Sequence, residues 1–311
     1  MIKEEKIVII GNGPAGCTAA LYAARAGFSP LVLAGNLPGG LLTWTTTVEN
    51  YPGFPDGVDG YELVNNMQSQ AENFGAQFEY DTVKEVNFDL TSNNHTIILE
   101  SDNIIQTKAI IIATGAKPKY LDLPGVEKYK SHGISACATC DGSFFKGVPV
   151  AVLGGGDSAM EEALTLTRFA SVVHLIHRRN QFRASKIMAQ RVKDNEKIII
   201  HWNTTPVEFI GHDKLEAIKL MDVNTKETSI LNCSACFFAL GHIPDTELFV
   251  GKLNLDDHGF IKTNVPKTST NIPGVFAAGD CTDPFYRQAI TAAGSGCKAA
   301  LDALSYLENL K

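Results

Sequence analysis

The sequence lacks any apolar run long enough to cross a bilayer. Its longest apolar stretches, around Ile110–Ala113 and Ala235–Leu240, are far shorter than the ~20 residues that a spanning helix needs. The start of the chain has acidic residues and no long apolar segment before a cleavage-like site, so it does not resemble a secretory signal. We therefore expect a cytoplasmic protein with no membrane association.

Cysteine is too scarce for a disulfide scaffold, and basic residues do not outnumber acidic ones. The chain has seven cysteines in 311 residues, which fits one reactive pair and several buried thiols in a reducing compartment. The net charge of −7 argues against nucleic acid as a partner, because its binders usually carry a basic patch. The length is about twice that of a common domain, so we expect two domains.

The first motif is a glycine-rich turn near the start of the chain. Ile7–Ile10 is a short β-branched run that predicts a buried strand, Gly11–Gly16 reads G-x-G-x-x-G, and Thr18–Arg25 favours a helix. Strand, glycine turn and helix in this order predict a dinucleotide site, with the phosphates on the helix N-terminus. The alternative is an ordinary glycine-rich turn. The next strand, Leu31–Gly35, does not end in the acid that would hold a ribose.

A second copy of this arrangement follows about 140 residues later. Val148–Leu153 predicts another buried strand, and Gly154, Gly156 and Ala159 have the G-x-G-x-x-A spacing before a helix over Met160–Phe169. The strand Ser171–His177 again lacks a terminal acid and leads into several arginines. Guanidinium groups bind a ribose 2′-phosphate, so this turn favours NADP(H) over NAD(H). The alternative is a solvated basic turn.

Between the two copies lies a C-x-x-C motif, Cys137 and Cys140, followed by Asp141. This spacing is typical of a redox disulfide, but it also supplies half of a zinc site. A second C-x-x-C, Cys233 and Cys236, would complete four zinc ligands, although in an apolar strand these residues are often simply buried thiols. Asp141 is a candidate proton shuttle for the thiols, or a cap for the following turn. A helix start near Gly142–Phe145 would favour the thiolate.

The remaining segments are expected to belong to the same nucleotide-binding half as the first glycine turn. Gly60–Phe74 predicts an amphipathic helix, and the strand-like stretches at 77–80, 83–88 and 96–100 predict a small antiparallel unit inserted before the strand at 108–113. Near the C-terminus, Gly274–Asp280 predicts a strand and a Gly-Asp turn, after which a small-residue helix opens at Arg287–Gly296. Asp280 is a candidate acceptor for the hydroxyls of a polyol such as ribitol.

Taken together, these motifs resemble the small, bacterial type of thioredoxin reductase. The resemblance spans essentially the whole chain and rests on both glycine fingerprints, Pro38–Gly40, Cys137–Gly142, the basic segment His177–Ala184, and Gly279–Asp280 with Tyr286–Ala289. One departure is Leu41, where the family usually has glutamine.

The resemblance implies an α/β fold of two Rossmann-like, three-layer nucleotide-binding domains. An NADPH domain (116–244), which carries the cysteine pair, is inserted into a discontinuous FAD domain (1–115 and 245–311). Cys137, Cys140 and Asp141 would be catalytic, with Cys140 nearer the flavin and Cys137 attacking the partner. FAD would contact Gly11, Gly13, Pro14, Ala15, Gly35, Gly39, Gly40, Leu41, Leu42, Asn50, Val83, Thr114, Gly115, Gly279, Asp280, Arg287, Gln288 and Ala289. NADPH would contact Gly154, Gly156, Asp157, Ser158, Ala159, His177, Arg178, Arg179 and Arg183.

The activity implied is NADPH-dependent reduction of thioredoxin through FAD and the cysteine pair, by a homodimer, with rotation of the inserted domain between two contacts and with no metal. Three alternatives remain open. One is another flavin disulfide reductase of this fold. The second is a flavin-dependent ferredoxin reductase, which needs no cysteine pair. The third is a zinc- and nucleotide-binding redox sensor that uses the four paired cysteines.

Overall fold

The computed structural model describes residues 2–35, 38–44, 47–91 and 93–310. These residues form two compact units. The first comprises Met1–Lys117 and Ile243–Lys311, and the second comprises Pro118–His242. None of the helices in this part of the chain has the length and hydrophobicity that a bilayer-crossing segment requires.

The elements of the first unit are β1 (Ile2–Ile10), α1 (Pro14–Arg25), β2 (Leu31–Leu33), β3 (Thr47–Val48), β4 (Val58–Asp59), α2 (Gly60–Glu72), β5 (Gln77–Glu79), β6 (Val83–Asn87), β7 (His95–Leu99) and β8 (Ile104–Ile112). The second unit begins within β9 (Ala116–Pro118) and continues with α3 (Val126–Tyr129), β10 (Ile134–Ser135), α4 (Ala138–Asp141), β11 (Pro149–Leu153), α5 (Asp157–Leu166), β12 (Val172–Ile176) and α6 (Lys186–Lys193). Strands β13 (Ile198–His201), β14 (Thr204–Gly211), β15 (Leu215–Asp222), β16 (Thr228–Asn232), β17 (Ala235–Phe238) and β18 (His242–Pro244) follow, and then β19 (Val275–Ala277) and α7 (Ala289–Glu308).

The first unit is built on a seven-stranded sheet of order β5-β2-β1-β8-β7-β6, in which β19 also pairs with β8. The side chains of β1 alternate between the two faces of this sheet. Ile7 and Ile9 pack with the small residues of α1 and α7, whereas Val8 and Ile10 pack with β6, β7 and the segment around Phe249. Both faces are therefore covered at the centre of the sheet, which is why Ile7–Ile10 of β1 and the residues of β2 are apolar.

Strand β8 joins the antiparallel and parallel parts of this sheet. Its first half pairs antiparallel with β7, its last residues pair parallel with β19, and β1 pairs with it in parallel along its length. The predicted antiparallel unit inserted before residues 108–113 is present at β6 and β7, which pair antiparallel with each other, but the prediction is wrong for residues 77–80. Strand β5 pairs in parallel with β2, and β6 and β7 extend the main sheet. Short strands carry no signal that distinguishes the two kinds of pairing, because the partner strand lies elsewhere in the sequence.

The second unit repeats the plan with a parallel sheet of order β10-β17-β11-β12-β13. One face packs against α5 and α6, with Val152 and Phe237 in that core. The other face, with Leu153 and Phe238, packs against the antiparallel sheet β14-β15-β16. A turn at residues 223–227 joins β15 to β16, which pair antiparallel. The three-layer α/β prediction is confirmed for both units.

Two helix predictions need adjustment. Helix α2 ends at Glu72, so Phe74 lies beyond it, with about half of its surface exposed, whereas Leu63 and Val64 on the apolar face of the helix are buried. The helix expected to begin near residue 142 begins earlier: α4 starts at Ala138 with Cys137 as its N-cap, and Gly142–Phe145 is a 3₁₀ turn. The end of α2 and the start of α4 are not marked by a clear change in the spacing of apolar residues. Helix boundaries of this kind are poorly located by sequence periodicity.

Close backbone packing fixes the first glycine turn. A Cβ on Gly16 would lie 1.9 Å from the carbonyl oxygen of Gly11, and Gly11 itself has a φ of +103° beside the backbone of Ala113. Gly13 differs, because a Cβ there would meet no atom closer than 3.9 Å. The turn therefore needs glycine at position 16 for packing, while position 13 faces open space at the start of α1.

This contrast gives a stability prediction. Gly16→Ala is expected to lower the free energy of unfolding by about 2–3 kcal/mol or more, because the added carbon displaces backbone atoms in the core. Gly13→Ala is the matched control and, with both variants measured without bound nucleotide, is expected to fold with nearly unchanged stability. Urea unfolding followed by far-ultraviolet circular dichroism measures both. Equal midpoints for the two variants would contradict the packing argument.

Candidate functional site

The central feature of the second unit is a disulfide between Cys137 and Cys140, with 5.3 Å between their Cα atoms. Both cysteines are partly exposed, and Thr139 between them is exposed, so the bridge lies at the surface. The Thr139 hydroxyl lies 3.3 Å from the Cys137 Sγ. The other five cysteines, Cys17, Cys233, Cys236, Cys281 and Cys297, form no disulfide.

Ser135 connects the cysteine pair to Asp141. Its hydroxyl donates to the Asp141 Oδ2 at 2.6 Å and accepts the backbone N–H of Cys137 at 3.1 Å. Burial raises the pKa of the Asp141 carboxyl above its usual range, and the hydrogen bond from Ser135 partly opposes this increase. A carboxyl with a raised pKa can exchange protons nearer neutral pH, so the geometry brings together a disulfide and a candidate proton donor.

Glu162 is a further contact of this segment. Its Oε2 accepts the backbone N–H of Ala138 at 2.7 Å, although the two residues are 24 positions apart in the sequence. Glu162 lies on α5, the helix that begins at the second glycine fingerprint. Sequence reasoning missed the contacts of both Ser135 and Glu162. The contact of Ser135 could have been predicted, because Ser135 lies only two residues before Cys137. The contact of Glu162 could not, because it arises only from the packing of α4 on α5.

The second glycine turn is open above the start of α5. Gly154 packs against Ala159 and the backbone of Ala239, whereas a Cβ on Gly156 would meet nothing within 4 Å. Gly156 is the N-cap of α5, and Asp157, Ser158 and Ala159 form its first turn. The Asp157 Oδ1 accepts the N–H of Ser185. An unfilled helix N-terminus with free N–H groups fits a nucleotide phosphate.

The basic segment lies next to this turn. His177 is buried and its Nε2 lies 2.9 Å from the carbonyl oxygen of Gln181, and the backbone N–H of Arg183 donates to Gly155. The side chains of Arg178, Arg179 and Arg183 are all exposed, and no ion pair among the described residues includes them. These exposed guanidinium groups fit the recognition of a 2′-phosphate.

Aromatic packing holds the basic segment in place. The rings of Phe182 and Trp202 lie 4.3 Å apart, and both also contact His177. Behind them, the N–H groups of Asn203 and Thr204 donate to the carbonyl oxygens of Arg179 and His177. Trp202 was not among the predicted site residues, since nothing in the sequence connects residue 202 to the turn.

The first unit presents a corresponding opening at the start of α1. Gly13 is the N-cap of α1, Pro14 occupies its first turn, and Ala15 packs against Gly279 and Gly296. The buried Asn12, also missed by sequence reasoning, accepts the N–H of Gly39 through its Oδ1 at 2.7 Å. This bond ties the second glycine patch to the first. Gly40, Leu41 and Leu42 follow in a 3₁₀ turn, while residues 36 and 37 of the expected Gly35–Leu42 segment lie outside the described residues.

Other predicted flavin contacts are spread over the same unit. Thr114 donates to the carbonyl oxygen of Asp245 and Gly115 accepts the N–H of that residue. The Asn50 side chain donates to that of Gln288, which caps α7 in front of Ala289. Val83 begins β6, and its side chain is buried in the sheet core. Gly35 has a φ of +66° with open space beside it.

Asp280 directly follows Gly279, which packs against Ala15 at the start of α1. Burial, and then the charge of Asp283, raise the pKa of Asp280 to about 6, while Arg287 lowers it. Arg287 has a φ of +48°, and its backbone N–H donates to the Asp283 carboxylate. A mostly buried carboxyl with no hydrogen bond from the described side chains fits hydroxyl donors of a polyol chain.

Four of the thiols outside the pair, Cys17, Cys233, Cys236 and Cys281, are buried, whereas Cys297 is partly exposed. Burial raises the pKa of Cys17 and of Cys233 to about 12 and that of Cys281 to about 11. Cys236 lies in the same core as Cys233, on β17. Among the described residues, no three cysteine, histidine or acidic side chains converge as metal ligands. The four-cysteine zinc arrangement is therefore not formed.

Two Rossmann-type units with open fingerprint turns, and a surface disulfide beside an acid, define a nucleotide-dependent disulfide oxidoreductase. Residues 5–296 match the family described as pyridine nucleotide-disulphide oxidoreductase, and the chain belongs to this family.

Within that family, the chain is similar to thioredoxin reductases. It is 50% identical to the thioredoxin reductase of Streptomyces clavuligerus over 311 residues, which is 100% of this chain and 96% of that one. It is 48% identical to the bifunctional thioredoxin reductase/thioredoxin of Mycobacterium leprae, covering 97% of this chain and 66% of that one. The solved thioredoxin reductase from Giardia duodenalis superposes with a TM-score of 0.91 at 39% identity, covering 98% of this chain and 99% of that one.

The raised pKa of Asp280 predicts a pH-dependent stability. A carboxyl whose pKa is higher in the folded chain binds more protons when folded, so its contribution is most favourable below about pH 4 and is lost as the pH rises through about 6. Without bound nucleotide, Asp280→Asn is expected to be up to about 3 kcal/mol more stable than the wild type at about pH 7.5, and about equally stable near pH 4. Urea unfolding at both pH values measures this difference. A difference that does not change with pH would contradict it.

Proposed function

We propose that the protein is an NADPH-dependent thioredoxin-disulfide reductase that works through FAD and the Cys137–Cys140 disulfide. The observation that carries the proposal is the partly exposed disulfide, which lies between two open nucleotide turns in the sequence and beside a carboxyl of raised pKa. Similarity over the full chain to proteins named thioredoxin reductase supports the partner class.

We assign FAD to the first unit and NADPH to the second. The buried carboxyl of Asp280 and the open turn at Gly13 support a flavin with its ribitol chain and pyrophosphate. The exposed Arg178, Arg179 and Arg183 beside the open Gly156 support a nucleotide with a 2′-phosphate. When bound, the flavin supplies a carrier that accepts hydride from the nicotinamide and delivers an electron pair to a disulfide.

The residues of the chain then perform thiol–disulfide exchange. Reduction of the Cys137–Cys140 bond takes two electrons and two protons and leaves two thiols. The Cys137 thiolate bonds to one sulfur of the partner disulfide and breaks it, and Cys140 then attacks the Cys137 sulfur to release the reduced partner. Asp141 accepts a proton from one thiol and returns it to a leaving thiolate, while Ser135 holds its carboxyl in place.

We further propose a homodimer that acts in the cytoplasm, without nucleic acid or membrane as a partner. The absence of a disulfide at the other five cysteines supports a reducing compartment. The dimer rests on the resemblance to the family.

Removal of one thiol of the pair separates electron transfer from NADPH to the flavin from reduction of the partner disulfide. Cys140→Ser is expected to retain NADPH-driven reduction of a small quinone or dye and to lose thioredoxin reduction by at least about a thousandfold, because the dithiol can no longer form. A coupled assay with NADPH and a panel of protein and small disulfides measures this.

Cys297→Ser is the matched control, since Cys297 is partly exposed but forms no disulfide, and it is expected to behave like the wild type. Retained thioredoxin reduction in Cys140→Ser would show that the pair is not the relay. Preference for a small disulfide over thioredoxin would instead favour another disulfide reductase of this family.

Replacement of Arg178 and Arg179 by Ala tests the second nucleotide site. The double variant is expected to raise the KM for NADPH by about tenfold or more and to leave the KM for NADH nearly unchanged, because only NADPH carries the 2′-phosphate. Arg191→Ala, which removes an exposed guanidinium from α6 in the same unit, is the control. Steady-state kinetics with both nucleotides decide the question, and an equal loss for NADPH and NADH would remove the 2′-phosphate assignment.

A further inference from the structure

The cysteine segment begins with two backbone donors that are both occupied by side-chain oxygens. The N–H of Cys137 donates to the Ser135 hydroxyl at 3.1 Å, and the N–H of Ala138 donates to the Glu162 carboxylate at 2.7 Å. Free N–H groups at a helix start usually stabilise a neighbouring thiolate. Here both N–H groups donate to side-chain oxygens instead.

Glu162 is placed by the fold of the second unit. It lies on α5, which starts at the second glycine turn, and α5 packs against α4, the short helix that contains Ala138 and Cys140. Glu162 is half-buried, and Glu161, the preceding residue of the same helix, is exposed to solvent. The carboxylate of Glu162 is therefore directed at the backbone immediately after Cys137, whereas that of Glu161 is not.

A carboxylate at this position acts on the thiol in two ways. It occupies the backbone N–H of Ala138, the residue after Cys137, so that this N–H is not free to donate to a thiolate, and it holds a negative charge at the residue next to Cys137. Both effects disfavour the thiolate. Asp141 and Tyr120 are two further acidic groups near the segment, and burial, followed by the charge of Asp141, raises the pKa of Tyr120 to about 12. Neither group attracts a thiolate, because each is neutral or negatively charged.

We propose that Glu162 is a positioning residue for the redox pair: its carboxylate fixes the backbone at Ala138 and restrains formation of the Cys137 thiolate. This inference rests on the proposed function, because it concerns the thiol that attacks the partner disulfide. It also ties the redox segment directly to the helix that bears the second nucleotide turn. The consequence is a cysteine pair that reacts less readily with small disulfides and electrophiles than its exposure suggests.

The test measures how the reactivity of the Cys137 thiol depends on pH. The flavin-loaded protein is reduced with dithiothreitol under anaerobic conditions, and the rate of Cys137 alkylation by iodoacetamide is followed against pH, with tandem mass spectrometry to separate Cys137 from Cys140. Glu162→Gln keeps an acceptor for the Ala138 N–H but removes the charge. The midpoint of its alkylation profile is expected to fall by about half to one pH unit relative to the wild type.

Glu161→Gln is the matched control, because it removes the same charge from the exposed side of α5, and its midpoint is expected to equal that of the wild type. If Glu162→Gln does not fold, as judged by circular dichroism and flavin absorbance, Glu162→Ala is measured in the same way. An unchanged or higher midpoint in the folded Glu162 variant, or an equal fall in Glu161→Gln, would overturn the proposal. The assay needs no thioredoxin and no turnover, so its failure is distinct from failure of the proposed function.

Discussion

The structure depends on the close approach of a helix start to the end of a buried parallel strand, and this approach occurs twice. At Gly16 in the first unit and at Gly154 in the second, a single added carbon would collide with neighbouring atoms. The absence of those carbons lets each helix begin directly above its strand. Each turn then presents one glycine, Gly13 or Gly156, to open space. Two open helix N-termini are thus a consequence of packing before any ligand is considered.

The cysteine pair belongs to the second of these units and is held there by side chains from two elements. Ser135 contributes from β10 and Glu162 from α5, and Asp141 completes the group on α4 itself. None of these contacts involves the sulfur atoms directly. The sulfurs therefore remain partly exposed, while the backbone that carries them is fixed by polar contacts. A redox centre that exchanges with another protein needs both properties, since exchange requires access and the proton donor requires fixed geometry.

The same unit separates reactive from inert thiols by burial. Cys233 and Cys236 share the spacing of the redox pair, yet both lie within the core between the two sheets, and burial raises the pKa of each. Spacing alone does not distinguish the two C-x-x-C motifs. Solvent access does, because thiolate formation and disulfide exchange both need it.

The sequence by itself determined the two fingerprints, the α/β class, the redox pair and the basic turn. These features are local, because a glycine turn, a C-x-x-C spacing or a β-branched run is complete within a few adjacent residues. Tertiary structure alone decided which strands pair, and so placed β5 beside β2 and merged β6 and β7 with the main sheet. It also decided which side chains meet, bringing Asn12 to Gly39, Trp202 to Phe182 and Glu162 to Ala138. Such contacts depend on how sheets and helices pack, which no spacing within the chain encodes.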